Sequence, residues 1–164
     1  MTLKSPKKNL LSFISYSLIL SGGLLLDQFV KAWAYNELRP IRSIKFIPEI
    51  LNLTYRENTG AAFSILSNMT NLLTVMTCII SVLIFYILMS GKITNMLAEF
   101  SLIFIVTGGI GNCIDRITRG FVVDMFEFAF VNFAIFNVAD IFITCGSALF
   151  ILVFIITKGE SLKW

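Results

Sequence analysis

Four long apolar segments constrain this chain more than any other feature of its sequence. They run over residues 10–30, 72–89, 97–114 and 135–156. Each segment is close to the ~20 residues that a helix needs to cross the hydrocarbon core of a bilayer. A chain of 164 residues that is 57% hydrophobic and 14% charged is too apolar to bury its surface in one small soluble core. We therefore predict an all-α polytopic membrane protein with four transmembrane helices, forming a single domain over 1–164.

The loop between the first two segments, residues 32–70, is the one extramembrane region that the sequence predicts to be long enough to hold structure of its own. Apolar Leu51, Leu53 and Tyr55 alternate there with polar residues, a period of two that is typical of a half-buried strand. We expect a small extracytoplasmic β element and a surface helix in this loop, lying on the membrane. An ordinary surface loop is the alternative.

The basic residues give a weak indication of orientation. Four spans put both termini on one side of the membrane, and lysine and arginine are almost equally numerous on the two sides. We favour a cytoplasmic N-terminus because Lys4, Lys7 and Lys8 directly precede the first span, which leaves the loop at 32–70 outside. A basic start followed by an apolar run is also typical of a secretory signal peptide, but here the run is longer than the apolar region of such a peptide.

The absence of histidine excludes several kinds of active site. Neither a metalloprotease of the HExxH type nor a Ser-His or Cys-His nucleophile can be built without it. Cys78, Cys113 and Cys145 are odd in number, lie in apolar stretches and are far apart in the sequence, so we expect neither a disulfide framework nor a zinc site. A net charge of +3 gives no indication of a nucleic-acid partner. Any chemistry must use carboxylates, lysine or hydroxyls.

Ionisable residues at the ends of the spans are the candidates for that chemistry, because a charge is costly in lipid. Asp27 and Lys31 are four residues apart at the end of the first span and can pair on one helical face, either as an anchor or as part of a site. Gly108, Asn112 and Arg116 recur at the same spacing near the end of the third span. They form either a helix-packing face or a face that contacts a ligand.

Two further aspartates lie beside the last two spans. Asp124 follows the third span, and Asp140 opens the fourth with Asn137 on the same helical face; stabilising that helix N-terminus is the alternative role for Asp140. The four-span topology brings Asp27, Asp115, Asp124 and Asp140 to one membrane face. Two carboxylates held close together share a proton, so that one can activate water while the other polarises a scissile carbonyl. This is the arrangement of an aspartic protease.

Five motifs, in this order, resemble those of the lipoprotein signal peptidases, also called signal peptidase II, which are aspartic peptidases of the bacterial inner membrane. The motifs are Asp27-Gln28-Phe29-Val30-Lys31, Asn58-Thr59-Gly60-Ala61-Ala62-Phe63, Gly108 through Arg116, Val122-Val123-Asp124 and Phe136-Asn137-Val138-Ala139-Asp140. The resemblance covers nearly the whole chain. It implies an enzyme that removes the signal peptide from diacylglyceryl-modified prolipoproteins by cutting on the amino side of the lipidated cysteine.

The resemblance also implies roles for individual residues. The catalytic pair would be Asp124 and Asp140, with Asp115 as a competing candidate that we interpret as a supporting residue. The positions that would bind substrate or support the site are Asp27, Lys31, Asn58, Gly60, Gly108, Asn112, Asp115, Arg116 and Asn137. No metal or organic cofactor is expected. We expect a monomer surrounded by membrane lipids in the bacterial inner (cytoplasmic) membrane, with cytoplasmic termini and an extracytoplasmic active site.

Two other functions are open at this point. A small transporter or channel could use the aspartates as an ion path, but it should carry polar groups at several depths, whereas the span at 72–89 is almost wholly apolar. A serine–lysine protease would need a neutral lysine as its base. Lys31 is the only lysine near a span on the side of the aspartates, and Asp27 would keep it protonated.

Overall fold

The helices found in the computed structural model, which describes residues 10–61 and 65–159, match the predicted spans in number. Within these residues, four helices are long and apolar enough to cross a membrane. They are α1 (Leu10–Trp33), α3 (Thr70–Met89), α4 (Met96–Arg119) and α5 (Val138–Ile156). The prediction of four transmembrane helices is thus confirmed, although some boundaries differ.

The first and third helices extend beyond the apolar runs that predicted them. After α1 the chain continues as a π-helical segment, Ala34–Leu38, and a short helix α2, Arg39–Ile41. The helical part of the first loop is therefore an extension of the first span. α4 begins at a cap formed by Asn95 and continues to Arg119, and Gly120 follows with φ 81°, a left-handed conformation that favours glycine.

The predicted β element is a three-stranded antiparallel sheet in the order β1-β2-β3. Its strands are β1 (Ser43–Ile47), β2 (Leu51–Asn58) and β3 (Val122–Phe128). The alternation that predicted β2 is confirmed, since Leu53 and Tyr55 are buried. The expectation that only the first loop holds extramembrane structure was wrong, because β3 comes from the segment after α4. β3 pairs with β2 so that Asp124 lies opposite Arg56.

Two groups of buried apolar residues hold the helices and the sheet together. One packs the helices against each other away from the sheet, and its members are Tyr16, Leu88, Ile93, Ala98, Leu102, Ile103 and Val153. The other lies under the sheet and consists of Ala34, Leu38, Leu53, Tyr55, Val123 and Met125. Because Val123 and Met125 flank Asp124 and are fully buried, the strand holds this aspartate in a fixed position.

α4 is the central helix and packs against α1, α3 and α5. Its contact with α5 depends on glycine at both ends. A Cβ added to Gly108 would lie 2.2 Å from the carbonyl oxygen of Ala139, and one added to Gly146 would lie 2.6 Å from that of Ser101. Small residues of this kind let two helix backbones approach closely in a membrane.

Gly108→Ala is therefore expected to lower the free energy of unfolding by about 1–3 kcal/mol, because the added methyl group must displace the backbone of α5. Gly22→Ala is the matched control, since a Cβ there meets no atom within 4 Å. Denaturation of both purified variants in detergent measures the difference. Equal stability of the two variants would contradict the close contact between α4 and α5.

Candidate active site

The aspartates that the sequence predicted at one membrane face lie together in the structure. Asp27 comes from α1, Asp115 from α4, Asp124 from β3 and Asp140 from the first turn of α5. Asp27, Asp115 and Asp124 are almost completely buried, with exposures of 1%, 0% and 2%. The ends of three helices and one strand thus form a single polar cluster within an otherwise apolar protein.

Asp124 lies on β3 and is held by two asparagine side chains. Its Oδ1 accepts a hydrogen bond from Nδ2 of Asn137 at 2.6 Å, and its Oδ2 accepts one from Nδ2 of Asn58 at 2.9 Å. Burial, reinforced by the charge of Asp140, raises the pKa of Asp124 to about 7. This carboxyl group can therefore carry a proton at neutral pH.

Asp140 belongs to a capping box at the start of α5. Its backbone N–H donates to Oδ1 of Asn137 at 3.0 Å, and its own Oδ2 accepts from the backbone N–H of Asn137 at 3.1 Å. The capping role considered for Asp140 is thus present in the structure. Oδ1 of Asp140 faces α4 and accepts from Nδ2 of Asn112 at 2.9 Å. Asn137 contacts both aspartates and links them.

Lys31 is fully buried and supplies positive charge to the cluster. Its ammonium group lies 3.0 Å from Oδ2 of Asp27, 3.4 Å from Oδ2 of Asp115 and 2.8 Å from Oδ1 of Asn112. All three of its N–H bonds thus point at oxygen atoms, none of them a hydroxyl. Asp27 also accepts from the backbone N–H of Ala139 at 2.9 Å, which ties α1 to the start of α5.

Asp115, interpreted from the resemblance as a supporting residue, is bound to β3 and to Arg119. Its Oδ2 accepts the backbone N–H of Val123 at 3.0 Å, and its Oδ1 pairs with Arg119. Asp115 is fully buried and does not line the cavity that contains Asp124 and Asp140. It therefore joins α4 to the strand that carries Asp124.

Arg116 connects α4 to the loop that follows β2. One of its terminal nitrogens donates to the carbonyl oxygen of Gly60 at 3.0 Å. Gly60 in turn donates its N–H to Oδ1 of Asn58 at 2.9 Å, which directs Nδ2 of Asn58 towards Asp124. Nε of Arg116 is buried and has no hydrogen-bond partner among the described residues. Ala62 and Phe63, which belong to the same sequence motif, lie outside the described residues.

A cavity of about 620 Å³ opens beside the two aspartates. Its polar end contains Asn58, Asn112, Arg116, Asp124 and Asp140. Its apolar walls include Leu73, Phe128, Phe133, Ile135, Phe136, Ile141 and Ile143. The cavity lies between α3 and α5, which both pack on α4 but scarcely touch each other. It can therefore hold an apolar group next to the two carboxyl groups.

The structure also locates residues that the sequence analysis assigned differently or missed. Gly108 packs against α5 and does not line the cavity, so its contribution is to helix packing. Gln28 donates to Asp27 at 3.0 Å and to the Gly111 carbonyl at 3.2 Å. Neither Gln28 nor Arg119 was assigned a role, although Arg119 follows Asp115 by four residues, a spacing that predicts an ion pair.

Comparison with known proteins gives consistent matches. The family model of Peptidase A8, signal peptidase (SPase) II, matches residues 19–156. The lipoprotein signal peptidase of Streptococcus thermophilus strain CNRZ 1066 is 43% identical over 128 residues, 78% of this chain and 84% of that protein. That of Streptococcus pneumoniae strain R6 is 42% identical over 122 residues, 74% of this chain and 79% of the relative.

A solved structure agrees with the fold. A bacterial membrane enzyme determined by the in meso method at 2.3 Å resolution superposes with a TM-score of 0.85 at 29% identity, covering 94% of each chain. The four spans and the buried carboxylates thus define a multi-pass aspartic peptidase of bacterial membranes. Within that class, the chain belongs to the signal peptidase II family.

Proposed function

We propose that this protein removes the signal peptide from diacylglyceryl-modified prolipoproteins by cutting on the amino side of the lipidated cysteine. The observation that carries the proposal is one cavity that contains both Asp124 and Asp140 at its polar end and aromatic and aliphatic side chains along its walls. The apolar walls suit the diacylglyceryl group, and the helices α3 and α5 that border the cavity scarcely touch each other. The relatives named lipoprotein signal peptidase support the same substrate class.

The charges of the polar cluster favour one shared proton on the catalytic pair. The cluster contains four aspartates, at positions 27, 115, 124 and 140, and three cations, which are Lys31, Arg116 and Arg119. One proton on the pair makes the cluster neutral, and the pKa of Asp124, raised to about 7 by burial, is consistent with that state. A net charge within the apolar part of the protein would be costly.

In the proposed reaction, the ionised aspartate takes a proton from a water molecule as the water oxygen attacks the scissile carbonyl carbon. The neutral aspartate donates a hydrogen bond, and then its proton, to the carbonyl oxygen. As the tetrahedral intermediate collapses, one of its hydroxyl groups returns a proton to the aspartate that had protonated the carbonyl oxygen. The other aspartate gives the proton it took from water to the leaving amine of the lipidated cysteine, and the C–N bond breaks. The pair ends with one proton, as it began. No metal or organic cofactor takes part in this scheme.

The membrane orientation is part of the proposal. Lys4, Lys7 and Lys8 precede α1 and favour a cytoplasmic N-terminus in the inner membrane. The sheet, Asp124 and the start of α5 then face the extracytoplasmic side, where a translocated prolipoprotein presents its modified cysteine. We propose that the enzyme acts as a monomer, because all residues of the pair and their partners come from one chain.

The two alternative functions fit the geometry less well. A transporter needs polar groups along a path, whereas the four aspartates and the cations that pair with them gather at one end of the helices and α3 is almost wholly apolar. A serine–lysine mechanism needs a neutral lysine beside a hydroxyl. Lys31 instead donates to two carboxylates and one amide.

Cleavage of matched substrates tests the proposed function. The purified protein in detergent is given a diacylglyceryl prolipoprotein and the same polypeptide without the lipid, and the products are identified by mass. We expect cleavage of the lipidated form alone, on the amino side of the modified cysteine. Equal cleavage of both forms, or a cut elsewhere, would contradict the proposed specificity.

The rate of cleavage is expected to fall as the pH rises through about 7, because the pKa of Asp124 is raised to about 7 and the reaction needs its proton. Above that pH both carboxyl groups are ionised, and kcat should decrease by about tenfold per pH unit. Initial rates between about pH 5 and pH 9, with a check that the protein stays folded, give this profile. A rate that keeps increasing into the alkaline range would contradict the protonated Asp124.

A further inference from the structure

We propose that Lys31, acting through Asn112, fixes Asp140 as the ionised aspartate that activates water, and that the shared proton resides on Asp124. Lys31 is then a positioning residue for the reaction as well as a brace for α1. The proposal rests on the proposed function and assigns different roles to the two aspartates.

The orientation of the Asn112 side chain follows from Lys31. An ammonium group can only donate hydrogen bonds, so the atom of Asn112 at 2.8 Å from Nζ must be the amide oxygen. The amide nitrogen of Asn112 then faces Oδ1 of Asp140 at 2.9 Å and donates to it. Lys31 also polarises this amide, which strengthens the hydrogen bond to Asp140. The charge of Lys31 also reaches Asp124 through space, but its hydrogen-bond chain through Asn112 ends at Asp140.

The orientation of Asn137 is fixed by a second group that only donates. The backbone N–H of Asp140 donates to Oδ1 of Asn137, so Nδ2 of Asn137 points away from α5. Nδ2 lies 2.6 Å from Oδ1 of Asp124 and 3.2 Å from Oδ1 of Asn112. Exchanging the oxygen and nitrogen positions of either side-chain amide would place two donors or two acceptors against each other.

The hydrogen bonds received by the two aspartates differ in kind. Asp140 accepts from Asn112, whose oxygen is bound to an ammonium, and from the backbone N–H of Asn137 at the N-terminus of the 19-residue helix α5. A helix N-terminus stabilises negative charge. Asp124 accepts from Asn58 and Asn137, two neutral amides, and lies on a strand. The negative charge is therefore better stabilised on Asp140.

The surrounding charges do not reverse this difference. The other charged or titratable groups around the pair are Asp27 and Lys31 from α1, Arg56 from β2, Cys113, Asp115, Arg116 and Arg119 from α4, and Cys145 from α5. Arg56 lies opposite Asp124 but is exposed, so solvent screens its charge. Asp27 pairs with Lys31, and Asp115 pairs with Lys31 and Arg119. Arg116 acts on both catalytic aspartates and so favours neither strongly. From α3, Leu73 and Thr77 line the cavity, and neither is charged.

The two asparagines that each donate to one oxygen of one aspartate provide matched variants. Asn112→Ala removes a donor from Asp140, so the acid limb of the pH profile of kcat should move to higher pH by about one unit. Asn58→Ala removes a donor from Asp124, so the alkaline limb should move to higher pH by a similar amount. In each variant the other limb should stay within about 0.3 unit, and KM should change less than kcat.

The outcomes are distinct. A shift of the alkaline limb in Asn112→Ala and of the acid limb in Asn58→Ala would assign the proton to Asp140 and overturn the proposal. Lower rates with both limbs unmoved would show only a structural role for Asn112, which also overturns it. A folded wild type that cleaves no lipidated substrate would instead refute the proposed function itself.

A second measurement does not depend on whether Asn112→Ala folds. In protein labelled with ¹³C at the aspartate carboxyl carbons, the resonances of Asp124 and Asp140 are identified by their loss in the variants Asp124→Asn and Asp140→Asn. The spectrum is recorded near pH 6, about one unit below the pKa of about 7 to which burial raises Asp124. There the wild-type resonance of Asp124 should have the chemical shift of a neutral carboxyl group, and that of Asp140 the chemical shift of a carboxylate. The reverse pattern would overturn the proposal.

Discussion

Asp140→Asn is expected to lower kcat for cleavage of the lipidated prolipoprotein by about 1,000-fold or more. An amide cannot take a proton from the attacking water, so the variant loses the base of the reaction. Asp124→Asn is expected to lose as much, because an amide cannot deliver a proton to the carbonyl oxygen. Single-turnover assays with saturating substrate measure kcat without the contribution of substrate binding.

The control for this loss is Glu57→Gln, the same kind of change on the strand that ends at Asn58. Glu57 is 39% exposed and pairs with Arg39 outside the cavity, so the activity of this variant should stay close to that of the wild type. The aspartate variants should remain inserted in the membrane and folded, as judged by their elution and thermal denaturation in detergent. Near-normal turnover in either aspartate variant would remove that residue from the catalytic pair.

Lys31→Met is expected to produce the largest loss of stability, about 3–5 kcal/mol in the free energy of unfolding. Lys31 is completely buried and is bound to Asp27 and Asp115, which are buried as well. Removal of the ammonium leaves both carboxylates without this partner in a region of low dielectric, and only Asp115 keeps Arg119. Equilibrium unfolding in detergent mixtures compares the variant with the wild type.

Two further variants separate the ion pair from the loss of a long side chain. Lys45→Met makes the same chemical change on the exposed strand β1 and should alter stability by no more than about 0.5 kcal/mol. Lys31→Met combined with Asp27→Asn should recover part of the loss, because the neutral amide oxygen can still accept the N–H of Ala139. If the double variant is less stable than Lys31→Met alone, the unpaired carboxylate of Asp27 is not the cause of the lost stability.

The spans could be predicted because long apolar runs have few alternatives to a membrane helix. The ends of the spans could not be predicted, because a hydropathy scale scores each charged residue separately and takes no account of ion pairs. Lys31 and Asp115 looked like the ends of apolar runs, yet they pair with each other, Asp115 also pairs with Arg119, and α1 and α4 continue past these two positions. The fourth span begins later than predicted because Ile135 and Phe136 line the cavity and Asn137 is the N-cap of the helix.

Only part of the sheet could be predicted from the sequence. β2 could be predicted because Leu53 and Tyr55 face the core while their neighbours are more exposed. β3 could not, because Val122 through Met125 are all buried, so the strand has no alternation of period two. Its pairing with β2 joins segments more than 60 residues apart, and nothing local in the sequence encodes that contact.

The members of the site were recognisable from five motifs, but their connections were not. Residue types and spacing indicated which carboxylates share a membrane face. The orientation of Asn112 and Asn137, which distinguishes Asp140 from Asp124, depends on donors that come from α1 and from the backbone of α5. Only the folded arrangement brings these groups within hydrogen-bonding distance.

Direct attack by water, activated by the aspartate pair, is tested most directly by cleavage in the presence of hydroxylamine. If water attacks the peptide bond without a covalent intermediate, every released signal peptide should end in a free carboxylate, and hydroxylamine should not change the product. An acyl-enzyme formed by a serine would instead react with hydroxylamine. A signal-peptide hydroxamate whose yield increases with hydroxylamine concentration would contradict the two-aspartate mechanism.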